Sequence, residues 1–90
     1  MLLFDWDEDN VRHIRRHRVT PGEVEEVLRN DPLDFDYEAQ FEPRFKSLGI
    51  TRQGRILVVV WTLRGDRIRA VTAFDAPKSY VRIFTERRGS

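Results

Sequence analysis

The spacing of apolar residues divides the chain into segments of strand-like and helix-like period. At the N-terminus, large apolar side chains occupy every second position, at Leu2, Phe4 and Trp6. Successive side chains of a strand point to opposite faces, so this spacing predicts a short first strand. A helix is expected directly after it, where acidic residues suited to a helix N-terminus begin at Asp7.

Two short helices are predicted next, as an αα-hairpin. Asp7 is a favourable N-cap for the first helix, whose apolar stripe is thin and consists of Val11 and Ile14. The second helix begins in a capping box with proline at its first position, Thr20–Glu23. It is expected to end at Asn30–Pro32, because proline cannot continue a helix.

From Leu33 onward the period changes to two, which predicts a β-meander. The run 56–61 is apolar on both faces, as is typical of a central strand. Turns are predicted at 53–54 and 64–66, and a last helix over about 77–87. The predicted order is β-α-α-β-β-β-β-α, an α+β fold whose mainly antiparallel sheet is packed by helices.

The composition fits one small domain. Hydrophobic residues make up 40% of the 90 residues and aromatic residues 11%, which excludes a disordered chain. The longest apolar run, 56–61, is too short to span a bilayer, and the N-terminus lacks the apolar stretch of a secretory signal. With no cysteine there is no disulfide framework, so the expected location is the cytoplasm, without membrane contact. We expect one domain over 1–88, with 89–90 as a tail or a remnant of cloning.

The net charge of +1 hides two halves of opposite sign. Residues 1–43 carry twelve acids and five arginines, a net −7, whereas residues 44–90 carry eleven bases and three acids, a net +8. The halves are expected to attract each other, within the fold or within a homodimer. Fourteen of the sixteen bases are arginine, whose planar fork binds phosphate in a bidentate manner. This favours a nucleic acid as the partner.

Several basic residues share a face of the predicted sheet. Arg44 and Lys46 are two residues apart on one strand, so they project to the same side. Arg67 and Arg69 repeat this spacing on the last strand. Two such rows can hold phosphate and stabilise the charge that gathers on it during RNA cleavage. The alternative is a solvated sheet face that pairs with the acids of the first half. The candidates for RNA contact are Arg52, Arg55, Arg64, Arg67, Lys78 and Arg82.

Two histidines are the side chains that titrate near neutrality. His17 can act as a base, an acid or a phosphate clamp, or it can simply stabilise the end of its helix through the helix dipole. His13 lies one turn earlier, which is also the spacing of a two-histidine metal site with Asp9 as a third ligand. Asp9 is equally explained as a first-turn carboxylate, and no metal or other cofactor is predicted. The candidate catalytic residues are His17, Arg44, Lys46 and Arg69.

The order and spacing of several segments resemble the BrnT family of toxins in type II toxin–antitoxin systems, also called DUF497. The resemblance covers about residues 4–85, nearly the whole chain, and rests on the order of its parts. The matching segments are Phe4–Asp7, Asn10, Arg16–Val19, Asp31–Pro32, Arg44, Gly49–Arg55, Leu57–Val60 with Thr62 and Arg64, and Arg69–Ala76.

This resemblance implies a RelE-like fold and a ribonuclease that blocks translation. It also implies a partner antitoxin with a ribbon-helix-helix domain, and the toxin contacts DNA only through that antitoxin. The toxin is expected to form a dimer, or a heterotetramer with the antitoxin. Of the two histidines, His17 is the one that matches the family. The alternative is a catalytically inactive module of the same fold that binds RNA or an antitoxin and acts in autoregulation.

The chain departs from the family pattern at several positions. Phe74 stands where the family has an arginine at the end of the last strand, within Thr72–Ala76. Tyr80 replaces a glutamate in the last helix, Val81 replaces a basic residue, and Arg18 replaces a glycine. These departures bear on activity more than on the fold.

Overall fold

Eight elements follow one another in the order that the hydrophobic pattern predicts. The computed structural model describes residues 1–38 and 43–88, with side chains for 1–35 and 43–88. The elements are β1 Leu3–Phe4, α1 Glu8–Arg15, α2 Pro21–Arg29, β2 Leu33–Glu38, β3 Arg44–Ile50, β4 Ile56–Arg64, β5 Arg67–Asp75 and α3 Lys78–Arg88. Within these described residues no helix is long and apolar enough to cross a membrane.

Both N-terminal helices begin at the predicted caps. The carboxylate of Asp7 accepts hydrogen bonds from the backbone N–H groups of Asp9 and Asn10, and the hydroxyl of Thr20 accepts one from Glu23. The buried stripe of α1 differs from the prediction, because Asn10 and Ile14 are its buried residues. Asn10 is buried without penalty, since its side chain accepts from the backbone of Asp7 and donates to the carbonyl of Asp5.

The five strands form one mixed sheet in the order β1-β5-β4-β3-β2. Strand β4 is central, as its apolar run predicts, and the pairs from β2 to β5 are antiparallel. Only β1 pairs in parallel, with Leu3 beside Arg67 on β5. The register of β4 on β5 shifts between Val60 and Trp61, because β5 contains an extra residue, Val71. The α+β fold class is confirmed.

Helices cover both faces of the sheet, and the described residues form two apolar clusters. Helices α1 and α2 pack on one face around Ile14, Val27 and Val59, which are fully buried. Helix α3 lies on the other face, where Phe84 packs with Leu48 and Val58. This division explains why 56–60 of β4 are apolar on both faces.

Aromatic residues of β2 and β3 have contacts within the chain. The ring of Phe45 stacks on Trp61 with centroids 4.4 Å apart. Phe35 meets Tyr80 of α3 edge-on at 5.3 Å, and both remain more than a third exposed. The Tyr37 side chain and Phe41 lie outside the described residues.

Candidate functional site

A cleft of about 160 Å³ opens between α1 and the adjoining ends of β3, β4 and β5. Three arginines from three different strands and one histidine from α1 face the same space. We call it the arginine cleft, and its lining residues are Asp9, Asn10, His13, Arg44, Thr62, Arg64, Arg69, Ala70 and Val71.

Strand register brings these residues together. Thr62 of β4 lies opposite Arg69 of β5. Phe45 lies opposite Trp61, so the residue before it, Arg44, falls next to Thr62. The buried hydroxyl of Thr62 donates to the carbonyl of Pro43 at 2.5 Å and thereby fixes the start of β3 beside β4.

The guanidinium of Arg69 joins the sheet to the N-terminus of α1. It contacts both carboxylate oxygens of Asp7, at 2.8 and 3.1 Å, and one oxygen of Asp5 at 3.5 Å. Hydrogen bonding to Asp7 raises the pKa of Arg69, and the same contact holds the pKa of the Asp7 carboxyl below its ordinary value. The Arg69 side chain is 15% exposed. One arginine of the cleft therefore already has carboxylate partners, and it anchors the helix that carries His13.

The two histidines lie in different places, although they are four residues apart in sequence. His13 is exposed on α1 and lines the arginine cleft. His17 lies beyond the end of α1, with its ring 5.9 Å from that of Phe74. Phe74 is five residues from Arg69 along β5, a span of about 17 Å. The predicted catalytic set is thus not one constellation, since His17 is separate from Arg44 and Arg69.

The spacing of His13 and His17 also allowed a metal site with Asp9. Across the described ranges, 1–38 and 43–88, no three His, Cys, Asp or Glu side chains come together as a metal-binding group. His13 lines the arginine cleft, whereas His17 lines a different surface with Phe74 and Asp75.

Arg55 is held by its own chain at the other end of the sheet. Its guanidinium donates to Asp75 at 2.7 Å, to both oxygens of Glu23, and to the carbonyls of His17 and Arg18. Hydrogen bonding to Asp75 raises the pKa of Arg55 and lowers that of Asp75. RNA contact by Arg55 stays a prediction, but these five acceptor atoms indicate a structural role.

The two predicted basic rows are only partly assembled in one site. Arg44 and Arg69 meet in the arginine cleft. Lys46 is half-buried opposite Val60 and does not line the cleft, and Arg67 is exposed at the start of β5.

The other predicted RNA contacts are spread over the surface. Arg52 is exposed in the turn before β4, where its backbone N–H donates to Glu26. Lys78 and Arg82 are exposed on α3. These residues can extend a basic surface but do not build the cleft.

Sequence reasoning did not assign the full composition of the arginine cleft. From the sequence, His13 is a candidate only for a metal ligand, and Arg64 only for an RNA contact. One signal was available: Asp9, Asn10 and His13 follow helical spacing and hence share one side of α1. The register that brings this side to Arg44 is a tertiary feature, so the pattern alone could not reveal it.

Comparison with known proteins decides the family. The family model for the ribonuclease toxin BrnT of type II toxin–antitoxin systems matches residues 6–80. The chain belongs to the BrnT family. A search of curated proteins finds no match.

Membership of the BrnT family implies an RNA substrate and an antitoxin partner. The matched range contains every residue of the arginine cleft, from Asp9 to Val71. It also contains Phe74, which does not line the cleft and packs instead in the apolar cluster beside α3. The departure from the BrnT pattern at Phe74 therefore leaves the arginines of the cleft in place.

Proposed function

We propose that this chain is a metal-independent endoribonuclease toxin that cleaves RNA in the arginine cleft, blocks translation and is neutralised by a cognate ribbon-helix-helix antitoxin. The observation that carries the proposal is the convergence of Arg44, Arg64 and Arg69 on one cleft from three strands. Arg69 also anchors α1 through Asp7. A phosphodiester is a ligand that guanidinium groups bind in a bidentate manner.

The charge of the cleft suits the transition state of RNA cleavage. When the 2′-hydroxyl attacks phosphorus, negative charge gathers on the non-bridging phosphate oxygens, and fixed cations stabilise it. Arginine does this well, because its planar fork matches two oxygens at once and it stays charged. Arg69 is already partly neutralised by Asp7 and Asp5, so part of its charge also holds the fold.

The test compares two double variants with equal charge loss. Purified wild type, Arg44→Ala/Arg64→Ala and Arg12→Ala/Arg29→Ala are incubated with single-stranded RNA in the presence of EDTA. We expect cleavage by the wild type and by the second variant, and a loss of about 10²–10³-fold in the first, the effect of removing a transition-state stabiliser. Cleavage that EDTA abolishes would contradict metal independence, and equal losses in both variants would contradict the location.

Expression in a bacterial host tests the biological part of the proposal. Induction of the wild type is expected to arrest growth and stop protein synthesis, and co-expression of the cognate antitoxin is expected to relieve both effects. The Arg44→Ala/Arg64→Ala variant is expected to accumulate without arrest. Arrest with continued protein synthesis would contradict a block of translation.

A second candidate is a catalytically inactive BrnT module that binds RNA or an antitoxin in autoregulation. Phe74, in place of the family arginine, is the observation that favours it. If Phe74 has removed catalysis, the wild type is inactive and Phe74→Arg gains activity. The proposed toxin predicts an active wild type and a less active Phe74→Arg variant. Phe74 packs against the apolar cluster of Leu48, Val58 and Phe84, and an arginine there loses these contacts.

A further inference from the structure

We infer that His13 is the catalytic base of the arginine cleft, an inference that rests on the proposed ribonuclease function. Among the described side chains that line the cleft, those able to take up a proton are Asp9 and His13. Imidazole titrates between pH 5 and 8, whereas an aspartate carboxylate is a weak base at neutral pH. Arginine remains protonated and cannot accept the proton of a 2′-hydroxyl.

The position of His13 is set by the residues around it. Ile14, the next residue, is fully buried in the core beneath α1. Asn10, one turn earlier, is buried and joined to the backbone of Asp5 and Asp7. Arg69 ties the N-cap of the same helix to β5. Helix α1 is thus anchored at three points. The exposed imidazole of His13 faces the arginines from a fixed backbone.

The imidazole and the arginines have complementary tasks in one step. The neutral imidazole of His13 takes the proton of the ribose 2′-hydroxyl while O2′ forms a bond to phosphorus. The bond from phosphorus to O5′ breaks, and the departing 5′-oxygen takes a proton from water. Arg44 and Arg64 hold the charge on the non-bridging oxygens in between. The products are a 2′,3′-cyclic phosphate and a 5′-hydroxyl, and the imidazolium returns its proton to the hydroxide left in solution.

His17 is the rival for this role. It lies beside Phe74 and Asp75 at the far end of β5, where Arg16 and Arg18 of its own loop are the cations around it. Arg55 is close by, but its guanidinium is occupied by Asp75, Glu23 and backbone carbonyls. The arginines that line the site of His17 come from its own loop, whereas those of the arginine cleft converge from three strands.

The experiment measures cleavage of a short RNA by the full chain carrying His13→Ala, His13→Asn, His17→Ala or Arg12→Ala. We expect both His13 variants to lose about 10²–10⁴-fold in rate, the usual contribution of a general base. Arg12→Ala, on the same helix but outside the cleft lining, is expected to stay within about threefold. Binding of the same oligonucleotide with 2′-deoxyribose at the cleaved position is expected to change little in either His13 variant, since the arginines remain.

Two further measurements separate a base from a structural residue. The wild-type rate is expected to fall as the pH drops and His13 takes up a proton, while the His13→Ala rate lacks that limb. The charged groups around His13 in this profile are Asp9 of α1, Arg44 of β3, Arg64 of β4 and Arg69 of β5. Added imidazole is expected to restore cleavage by His13→Ala, because the substitution leaves space for it in the cleft.

The outcomes distinguish a failure of the proposed ribonuclease function from a failure of the role of His13 alone. If the folded wild type does not cleave RNA, the ribonuclease function fails and the role of His13 fails with it. If the wild type cleaves and His13→Ala stays within tenfold of it, only the role of His13 is overturned. The same conclusion follows if His17→Ala is the variant that loses activity, or if added imidazole fails to raise the rate of His13→Ala. Circular dichroism and thermal melting confirm that each variant is folded.

Discussion

At the scale of single residues, Arg55 joins separate parts of the chain through its hydrogen bonds. It connects Glu23 of α2 and Asp75 at the end of β5 with the loop that follows α1. In that loop Arg18 has a positive φ of 58°, a conformation that costs energy for any residue but glycine. The bond from Arg55 to the Arg18 carbonyl helps to hold this conformation.

Removal of the Arg55 side chain is expected to destabilise the fold. The variant Arg55→Ala leaves Glu23 and two carbonyls without their donor, and we expect the free energy of unfolding to fall by about 2 kcal/mol, the scale of hydrogen bonds to a charged group. Urea unfolding measures the change. Arg67→Ala, at an exposed position of the β4–β5 hairpin, is the control and should stay within about 0.5 kcal/mol. Equal effects would contradict the structural role.

The ion pair between Arg55 and Asp75 predicts a pH dependence. The guanidinium holds the folded-state pKa of Asp75 below 3.8, its ordinary value. A depressed carboxyl pKa stabilises the folded state above pH 3.8, and this contribution is lost as the pH falls through the folded-state pKa. The stability difference between the wild type and Asp75→Asn should therefore be present above about pH 4.5 and shrink at lower pH. Urea midpoints across this range test it, with Glu86→Gln on exposed α3 as control.

At the scale of elements, local features such as helix caps could be predicted from the sequence, whereas the pairing of distant strands could not. The caps at Asp7 and Thr20 were readable because they depend on residues three positions apart. The parallel pairing of β1 with β5 and the bulge at Val71 were not, since neither leaves a local pattern. The parallel pair places α1, which directly follows β1, beside β5, so the basic residues were predictable and the cleft was not.

Close packing of α2 on β3 depends on Gly49. A Cβ atom at this position would lie 2.8 Å from Cγ1 of Val27 and 3.3 Å from the Val27 carbonyl oxygen. Gly49→Ala is expected to destabilise the fold by about 1–3 kcal/mol through overpacking. Gly22→Ala in α2 itself is the matched control, because the nearest atom to its Cβ is 3.9 Å away. An effect in Gly22→Ala as large as that in Gly49→Ala would show that steric crowding is not the cause.

At the scale of the whole molecule, the two oppositely charged halves are joined as their composition suggested. Arg55 and Arg69 of the second half pair with Glu23 and Asp7 of the first. These pairs use acids of the first half to hold the fold. On the proposed function, the cleft and the exposed bases Lys78 and Arg82 provide the positive charge that RNA meets.

This distribution of charge predicts how RNA binding responds to salt. Each phosphate contact to single-stranded RNA contributes about −0.7 to the slope of log affinity against log salt concentration. With a non-cleavable 2′-deoxy oligonucleotide, Arg44→Ala/Arg64→Ala should make the slope shallower by about 1.4. Arg12→Ala/Arg29→Ala removes equal charge elsewhere and should change it by less than half as much. An unchanged slope in the first variant would contradict phosphate contact in the cleft.

The parallel pair of β1 and β5 also fixes when the site comes into existence during synthesis. Leu3 pairs with Arg67, 64 residues later, and the cleft lining runs from Asp9 to Val71. Helix α1 leaves the ribosome well before β5, the strand on which it docks, has been translated. On the proposed function, a nascent chain that does not yet include β5 carries no assembled nuclease, so the ribosome that makes the toxin is safe from it until β5 has emerged.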